Sequence, residues 1–200
     1  MQTLLIASSN PGKLREFQAI LQDLAVKIVL PADIGVHLTV EEDGSTYYDN
    51  ALKKALAYSK ASRLITLADD SGLEVDVLEG APGLYSARYS PIPGAKDADR
   101  RAHLLQQLQG HPSPWSAHFH CTAVVAIPDG NHFTFEGNCY GEIIAEERGG
   151  NGFGYDPIFL LPKHGLTMAE LPEEEKNHIS HRGRATLAAL PTLKEIFILE

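Results

Sequence analysis

The first thirty residues constrain the fold more than any other segment, because strand-like and helix-like patterns alternate within them. Residues 3–7 form a short apolar run that ends in a polar turn. Apolar residues then recur at helical spacing, at Leu14, Phe17, Ile20, Leu21 and Leu24. A second apolar run follows at residues 26–30. Strand, turn, helix and strand in this order predict a βαβ unit and a partly parallel sheet.

The rest of the chain continues the α/β pattern. Helical spacing is found at residues 47–63 and 98–108, and the stretch 173–197 is mainly helical with breaks near Gly183 and Pro191. Strands are predicted at residues 65–68, 73–77, 117–127, 133–138 and 141–145. These patterns predict an α/β fold with a central mixed sheet and a second lobe formed by the middle strands.

Composition excludes several classes of function. A chain of 200 residues with a net charge of −9 is a poor binder of nucleic acid or of a membrane surface, which both call for a basic footprint. No apolar stretch approaches the ~20 residues of a membrane span. The amino terminus lacks the basic leader of a signal peptide, and the two cysteines, Cys121 and Cys139, have no metal-binding spacing. We therefore expect a cytoplasmic protein with two reduced thiols.

A polar turn lies between the first predicted strand and the first predicted helix. It consists of Ser8, Ser9, Asn10, Pro11, Gly12 and Lys13. Such a turn directs backbone N–H groups and the positive end of the helix dipole towards a ligand, and Lys13 adds a full charge, which together suit phosphate. The Walker A pattern is absent, however, and spacing alone favours an ordinary turn in which Asn10 caps the helix.

Two acidic pairs offer ligands for a metal ion. Asp69 and Asp70 follow a predicted strand, at the edge where open α/β sheets place their ligands. Glu41 and Glu42 lie in a predicted loop before the second helix. Carboxylate oxygens suit Mg²⁺, which usually takes one or two of them together with phosphate oxygens and water. The alternative is two solvated acidic patches, with an Asx turn that starts at Asp70.

The glycine-rich segment 149–157 could bring an aromatic ring against a flat ligand. Glycines flank Phe153 on both sides, and stacking of a base on such a ring is worth ~1–3 kcal/mol. Asp156, which precedes a proline and is therefore extended, could accept a hydrogen bond from a base or a ribose. The alternative is a structural turn whose Phe153 and Tyr155 belong to the core.

Three potential cations gather near the carboxyl end of this acidic chain. They are Lys176, His181 and Arg182. The last two can donate to a carbonyl or a phosphate, although a charged helix surface capped by His181 is the other interpretation. Lys54, on the second predicted helix, is a further candidate. Two histidines of a predicted strand at i and i+2, with no third ligand nearby, do not predict a zinc site.

These separate signals together resemble the inosine triphosphate pyrophosphatase family. The motifs that carry the resemblance are Ser8-x-Asn10-x-Gly12-Lys13, the acidic loop 41–43, Asn50-Ala51-x-x-Lys54-Ala55, Ala68-Asp69-Asp70-Ser71-Gly72-Leu73, Gly80-Ala81-Pro82-Gly83-x-Tyr85-Ser86-Ala87-Arg88-Tyr89, Gly152-Phe153-Gly154-Tyr155-Asp156-Pro157 and Ser180-His181-Arg182-Gly183. Each is weak alone, but their shared order covers nearly the whole chain. Ser9 stands where the family commonly has glycine, and serine keeps the turn only if its φ stays negative.

The resemblance implies both an activity and an architecture. Enzymes of this family hydrolyse ITP, dITP and XTP to the monophosphate and pyrophosphate, which cleanses the nucleotide pool. The implied fold is α/β, with a long central mixed sheet flanked by helices and two lobes with a cleft between them, in one domain over residues 1–200. A homodimer with one Mg²⁺ per subunit is also implied, and we expect no nucleic-acid or membrane partner.

The matching positions imply a role for each candidate residue. Metal ligation falls to Glu41 and Asp70, with Glu42 as a helper, and Asp70 also matches the proton acceptor. Lys54 is assigned to catalysis, where it stabilises the leaving pyrophosphate with the lysine of the polar turn. The attacking water is oriented by Asp70 or by Asp69, which we leave open. The predicted substrate-binding residues are Ser8, Ser9, Asn10, Pro11, Gly12, Lys13, Ser71, Phe153, Gly154, Tyr155, Asp156, Lys176, His181 and Arg182.

The predicted base specificity has a physical reason. Donors aimed at O6 of hypoxanthine or xanthine, from His181, Arg182 or backbone, would meet a donor in adenine, and an unpaired buried polar group costs ~1–3 kcal/mol. Two other functions remain open. One is a Maf-like pyrophosphatase that acts on modified pyrimidine nucleotides or on general dNTPs. The other is a non-catalytic nucleotide-binding module, which the complete set of site residues argues against.

Overall fold

The predicted βαβ unit is present in the computed structural model, which describes residues 2–198 of the chain. Strand β1 (Thr3–Ile6) pairs in parallel with β2 (Lys27–Val29), and helix α1 (Pro11–Ile20) connects them. On its other side β1 pairs in parallel with β3 (Ile65–Val75). Because the short strand β1 lies between two parallel neighbours, its buried apolar residues are held within the sheet.

The remaining elements complete a mixed sheet flanked by helices. They are α2 (Tyr47–Ser62), α3 (Asp97–Gln107), β4 (Trp115–Ala126), β5 (His132–Ile143), β6 (Phe159–Leu161), β7 (Leu166–Thr167), α4 (Glu173–Ile179) and α5 (His181–Ile198). The seven-stranded sheet has the order β2-β1-β3-β4-β5-β6-β7, in which β5, β6 and β7 pair antiparallel. The predicted fold class is therefore confirmed.

The described residues divide into two compact units, each with its own hydrophobic core. The first unit contains the residues up to Asp70, Cys121–Gly137 and the residues from His181 onward, and the second contains Ser71–His120 and Asn138–Ser180. The division falls inside β3, β4 and β5. That the whole chain is a single domain stays a prediction.

In the first unit, strand alternation separates two apolar layers. Leu4 and Ile6 of β1 pack in one cluster with Phe17 of α1 and Leu193 of α5. Alanines dominate the other cluster, in which Ala7, Ala68 and Ala126 meet Ala51 and Ala55 of α2. Successive side chains of a strand point to opposite faces of a sheet. The short alanine side chains therefore let α2 lie close to the sheet.

The second unit is built around larger side chains. Its core contains Leu73, Leu104, Phe119, Ile158 and Phe159, and the rings of the two phenylalanines lie 4.5 Å apart between centroids. None of the helices formed by residues 2–198 is both long and apolar enough to cross a membrane.

Two pairs of predicted strands are single strands in the structure. Residues 65–68 and 73–77 belong largely to the single eleven-residue strand β3, so Asp69 and Asp70 lie inside a strand and not at its end. The strands predicted at 133–138 and 141–145 are likewise parts of β5. Polar residues and glycines do not interrupt these strands, because buried partners satisfy the polar groups and neighbouring groups approach the glycines closely.

The helical carboxyl-terminal stretch is interrupted at a different place from the one predicted. Ser180, with φ −67° and ψ 158°, ends α4 in an extended conformation, whereas Gly183 and Pro191 lie inside α5. A glycine within a helix costs only about 0.5–1 kcal/mol of conformational entropy relative to alanine, which does not by itself end the helix. The break therefore follows the backbone of Ser180.

Gly137 of β5 permits the closest approach of α5 to the sheet in the first unit. A Cβ atom at this position would lie 2.1 Å from the carbonyl oxygen of His181 and 2.6 Å from the backbone nitrogen of Ala185. We expect Gly137→Ala to lower the free energy of unfolding by about 1–3 kcal/mol, because backbone atoms must move to admit the methyl group. Chemical denaturation measures this.

Gly150→Ala is the matched control, because a Cβ atom there meets nothing within 4 Å. This control variant should be close to wild type in stability. If Gly137→Ala and Gly150→Ala were equally stable, the close approach of α5 at Gly137 would be contradicted.

Candidate active site

The polar turn between β1 and α1 is an ordered helix cap. The Oδ1 atom of Asn10 accepts hydrogen bonds from the backbone N–H groups of Gly12 at 2.8 Å and Lys13 at 3.3 Å. Ser9 keeps a negative φ, since the non-glycine residues with positive φ in the described part of the chain are Arg63 and Glu79. The condition under which serine preserves the turn is therefore met.

A buried ionic network surrounds Asp69 in the first unit. The Lys13 Nζ and Arg182 Nε atoms both lie 3.0 Å from the Asp69 Oδ2 atom. The Arg182 Nη1 atom lies 2.6 Å from the Glu16 Oε2 atom of α1. Burial alone would raise the pKa of the Asp69 carboxyl, but Lys13, Arg182 and Lys54 outweigh it and hold that pKa well below its usual range. Asp69 is therefore a permanently charged anion.

Asp70 is in a different electrostatic state although it is the next residue. Its side chain is 7% exposed, and its Oδ2 atom accepts a hydrogen bond of 2.8 Å from the Asn50 amide of α2. Burial raises the pKa of the Asp70 carboxyl above its usual value, and Lys13 and Lys54 offset only part of this effect. A carboxylate with a raised pKa is the better proton acceptor, which distinguishes Asp70 from Asp69.

Lys54 contacts both the acidic loop and Asp69 of the ionic network. Its Nζ atom donates to the Glu42 carboxylate and, at 2.6 Å, to the backbone carbonyl of Asp69. Burial would lower the pKa of Lys54, but the charges of Asp69 and Glu42 outweigh it and raise that pKa, so the ammonium group stays protonated. A buried cation at this point can stabilise a phosphate chain.

Of the two adjacent glutamates, Glu42 is the one that approaches Asp70. The Glu42 charge contributes to the raised pKa of Asp70, whereas Glu41 is exposed to solvent. The reason is the contact with Lys54, which turns Glu42 towards α2. The assignment of Glu41 as a metal ligand, with Glu42 as a helper, stays a prediction.

The oxygen ligands around Asp70 fit a divalent ion that takes most of its other ligands from substrate and water. Within residues 2–198, no group of three or more His, Cys, Asp or Glu side chains could hold a metal by itself. Asp70 and Glu42 instead carry two carboxyl groups that influence each other electrostatically. Two carboxylates completed by phosphate oxygens and water are the usual coordination of Mg²⁺ in nucleotide-handling enzymes.

In the second unit, the glycine-rich segment forms a small cluster around Asp156. The Asp156 Oδ2 atom accepts from the backbone N–H of Phe153 at 2.8 Å and from the Lys176 Nζ atom at 2.6 Å. The Lys176 Nζ atom also lies 5.0 Å from the centre of the Phe153 ring. At Gly152 a Cβ atom would lie 2.1 Å from Asp156 Oδ2, so glycine is required there. The structure thus brings together three predicted site residues, Phe153, Asp156 and Lys176.

Four other predicted residues occupy different surroundings. The Tyr155 side chain belongs to the core of the second unit and donates to the carbonyl of Ser86 at 2.9 Å. The Arg182 guanidinium is only 1% exposed and is held by carboxylates. His181 is buried at the start of α5, and Ser71 is half-buried in β3. Nucleotide contacts of these four residues stay predictions.

Comparisons with known proteins agree with the resemblance. The model of the Ham1 family matches residues 4–192. A dITP/XTP pyrophosphatase of Synechocystis sp. is 50% identical over 187 residues, which cover 92% of this chain and 92% of that protein. One of Geobacter sulfurreducens is 48% identical over 186 residues, with coverages of 92% and 93%. The chain belongs to the Ham1 family.

Solved structures of Ham1 proteins have the same fold. A HAM1 protein from Coxiella burnetii superimposes with a TM-score of 0.88 at 42% identity, over 98% of this chain and 100% of that one. The Ham1 protein of Staphylococcus aureus has a TM-score of 0.85 at 39% identity, with the same coverages. The resemblance to the inosine triphosphate pyrophosphatase family that the sequence motifs indicated is confirmed.

Sequence reasoning missed two polar groups of this Ham1 chain that the site uses. Glu16 lies on the core-facing side of α1, one residue before the buried Phe17. A charged residue on the apolar side of a predicted helix is visible in the sequence and could have indicated this role. Asn50 was part of a motif, but nothing in its spacing showed that it binds Asp70. Both roles depend on contacts with residues far along the chain.

Proposed function

We propose that this Ham1 chain hydrolyses the non-standard purine nucleotides ITP, dITP and XTP to the monophosphate and pyrophosphate. The observation that carries the proposal is the contrast between two adjacent aspartates, one locked as an anion and one with a raised pKa, next to Lys13, Lys54 and Glu42. The relatives named dITP/XTP pyrophosphatases support the substrate class.

Lys13 and Lys54 act on the triphosphate chain in this mechanism. Both are protonatable amines beside the same carboxylate pair, and they would stabilise the negative charge that builds up on the leaving pyrophosphate. Asp70 accepts the proton of the water that attacks the α-phosphorus, because its raised pKa makes it a better proton acceptor than Asp69. Asp69 holds Lys13 in place and does not itself take up a proton.

Asp70 and Glu42 are the residues that we propose to hold Mg²⁺. When bound, the ion supplies charge neutralisation on the phosphate oxygens. Two observations support this choice. Lys54 pairs with the Glu42 carboxylate, and the Glu42 charge contributes to the raised pKa of Asp70.

We propose that the turn containing Phe153 and Asp156 binds the purine. The Phe153 ring is half-buried and offers a face for stacking, and the Asp156 carboxylate fixes the backbone of the same turn. Lys176, which contacts both residues, compensates the charge of Asp156 and so keeps the turn in one conformation. We leave Arg182 out of this set because its guanidinium is engaged in the interior of the first unit.

The deciding experiment measures pyrophosphate release from ITP, XTP, dITP, GTP and ATP at alkaline pH, with and without Mg²⁺. We expect Mg²⁺-dependent turnover of the first three and slow turnover of GTP and ATP. Preference for modified pyrimidine nucleotides or for general dNTPs would favour a Maf-like pyrophosphatase. Nucleotide binding without turnover would favour a non-catalytic module. A homodimer and a cytoplasmic location stay predictions.

The two glutamates of the acidic loop provide a matched test of the metal site. We expect Glu42→Gln to raise the Mg²⁺ concentration for half-maximal activity by about 10–100-fold, because a carboxylate ligand is replaced by a neutral amide. Glu41→Gln, one residue away and exposed, should stay close to wild type. A Mg²⁺ titration of ITP turnover measures both variants, and the reverse ranking would return the metal-ligand role to Glu41.

A further inference from the structure

The first turn of α3 holds the backbone of Gly154 from both sides. The Asp97 Oδ2 atom accepts a hydrogen bond of 2.8 Å from the Gly154 N–H, and the Arg101 Nη1 atom donates one of 2.8 Å to the Gly154 carbonyl. Residues four apart on a helix share one face, so both side chains extend in the same direction. We call this arrangement of Asp97, Arg101 and Gly154 the α3 clamp.

Both side chains of the α3 clamp are themselves fixed by further contacts. Arg101 forms two parallel hydrogen bonds of 2.8 Å with the carboxylate of Glu147, through its Nε and Nη2 atoms. Asp97 is paired with Arg100, whose Nη1 atom also donates to the carbonyl of Ala95 at 2.9 Å. Charge-assisted and bidentate bonds of this kind are strong and directional. The clamp is therefore a rigid support and not a chance surface contact.

The backbone of Gly154 is the part of the purine-binding turn that the α3 clamp holds. It has a φ of +61°, and a Cβ atom there would meet nothing within 4 Å, so the backbone conformation and not space calls for glycine. Phe153 precedes it directly, and Phe153 is tied through its N–H to Asp156. Fixing both polar groups of the Gly154 backbone consequently restrains the main chain that carries the Phe153 ring.

We propose that Asp97 and Arg101 are positioning residues for purine recognition, which act on the substrate through Gly154 and Phe153. This inference rests on the proposed function, since it assigns the turn of Phe153 to the purine. The clamp contributes to binding of the base and not to bond breaking, because its contacts are made to the backbone of the turn. Loss of the clamp should therefore weaken nucleotide binding while chemistry continues.

The main test replaces Asp97. For Asp97→Ala we expect the KM for ITP to rise about tenfold, which equals about 1.4 kcal/mol, with kcat changed by less than about twofold. The inhibition constant of inosine monophosphate should rise equally, while that of pyrophosphate, which lacks a base, should not change. Asp97→Asn should recover most of the wild-type KM, because the amide oxygen can still accept from the Gly154 N–H.

Asp99→Ala is the matched control. Asp99 lies in the same first turn of α3, where its Oδ2 atom accepts from the Lys96 N–H at 2.8 Å, and it should change helix stability without changing the KM for ITP. Arg101→Leu removes the other half of the clamp and should reproduce the effect of Asp97→Ala. This second variant keeps the test available if Asp97→Ala does not fold.

Several results would overturn the inference while leaving the proposed function intact. The inference fails if the KM for ITP is unchanged in both clamp variants, rises equally in Asp99→Ala, or does not recover in Asp97→Asn. It also fails if the inhibition constant of pyrophosphate rises as much as that of inosine monophosphate. Failure of both clamp variants to fold would make the clamp purely structural. Absence of ITP turnover in the wild-type protein would instead overturn the proposed function itself.

Discussion

Asp70→Asn is expected to lower kcat for ITP by about 10²–10⁴-fold, which is the usual contribution of a positioned general base. The amide cannot accept the proton of the attacking water, and it also removes one of the two carboxylates proposed for Mg²⁺. Steady-state pyrophosphate release with ITP at saturating Mg²⁺ measures the loss. An active Asp70→Asn variant would remove Asp70 from both roles.

The same substitution should leave the fold intact or stabilise it. Burial raises the pKa of Asp70, so the ionised form is disfavoured in the folded state compared with the unfolded chain. At neutral pH the charge therefore reduces stability, and a neutral amide of the same shape relieves that cost. A thermal unfolding curve of Asp70→Asn that lies at or above that of wild type would separate lost chemistry from lost structure.

Removal of the buried guanidinium at position 182 should have the largest effect on stability. Arg182 is 1% exposed and binds both Asp69 and Glu16, so Arg182→Met removes the cation that these two buried carboxylates share. Breaking a buried ion pair from one side typically costs about 3–5 kcal/mol. We expect a loss of this size in the free energy of unfolding, measured by chemical denaturation.

Arg184→Met is the matched control for this prediction. Arg184 lies two residues further along the same helix and is exposed, and surface substitutions usually change stability by less than about 0.5 kcal/mol. If Arg182→Met were as stable as Arg184→Met, the ionic network around Asp69 would not be a stabilising element. A large loss in Arg182→Met alone would support the structural role that we assign to the guanidinium.

The fold was predictable from local patterns where side-chain periodicity is strong. The βαβ unit, helix α2 and helix α3 were recognised within a few residues, because apolar spacing and capping residues act locally. The ends of strands were predicted wrongly where tertiary contacts override local propensity. Strand β3 continues through Asp69 and Asp70 because buried partners satisfy both carboxylates, and β5 continues through Gly137 because α5 fills the space that a side chain would occupy.

The candidate site shows the same limit at the level of single residues. The motifs singled out Lys13, Lys54 and Asp70, since the order of polar residues along the chain is visible in the sequence. They could not show that Glu42 and not Glu41 pairs with the Lys54 ammonium group, because that contact depends on the folded chain. Nor could they show the contacts of Gly154 with Asp97, which lies 57 positions earlier in the chain.

The sequence by itself determined the family of this protein and its mixed α/β sheet. Only the tertiary structure decided that the pKa values of two adjacent, identical aspartates are shifted in opposite directions. The Arg182 guanidinium, 113 positions after Asp69 in the chain, binds the Asp69 carboxylate. Asp70 instead accepts a hydrogen bond from the neutral side-chain amide of Asn50. The pKa of a carboxyl group depends on burial and on nearby charges, and both are properties of the folded chain.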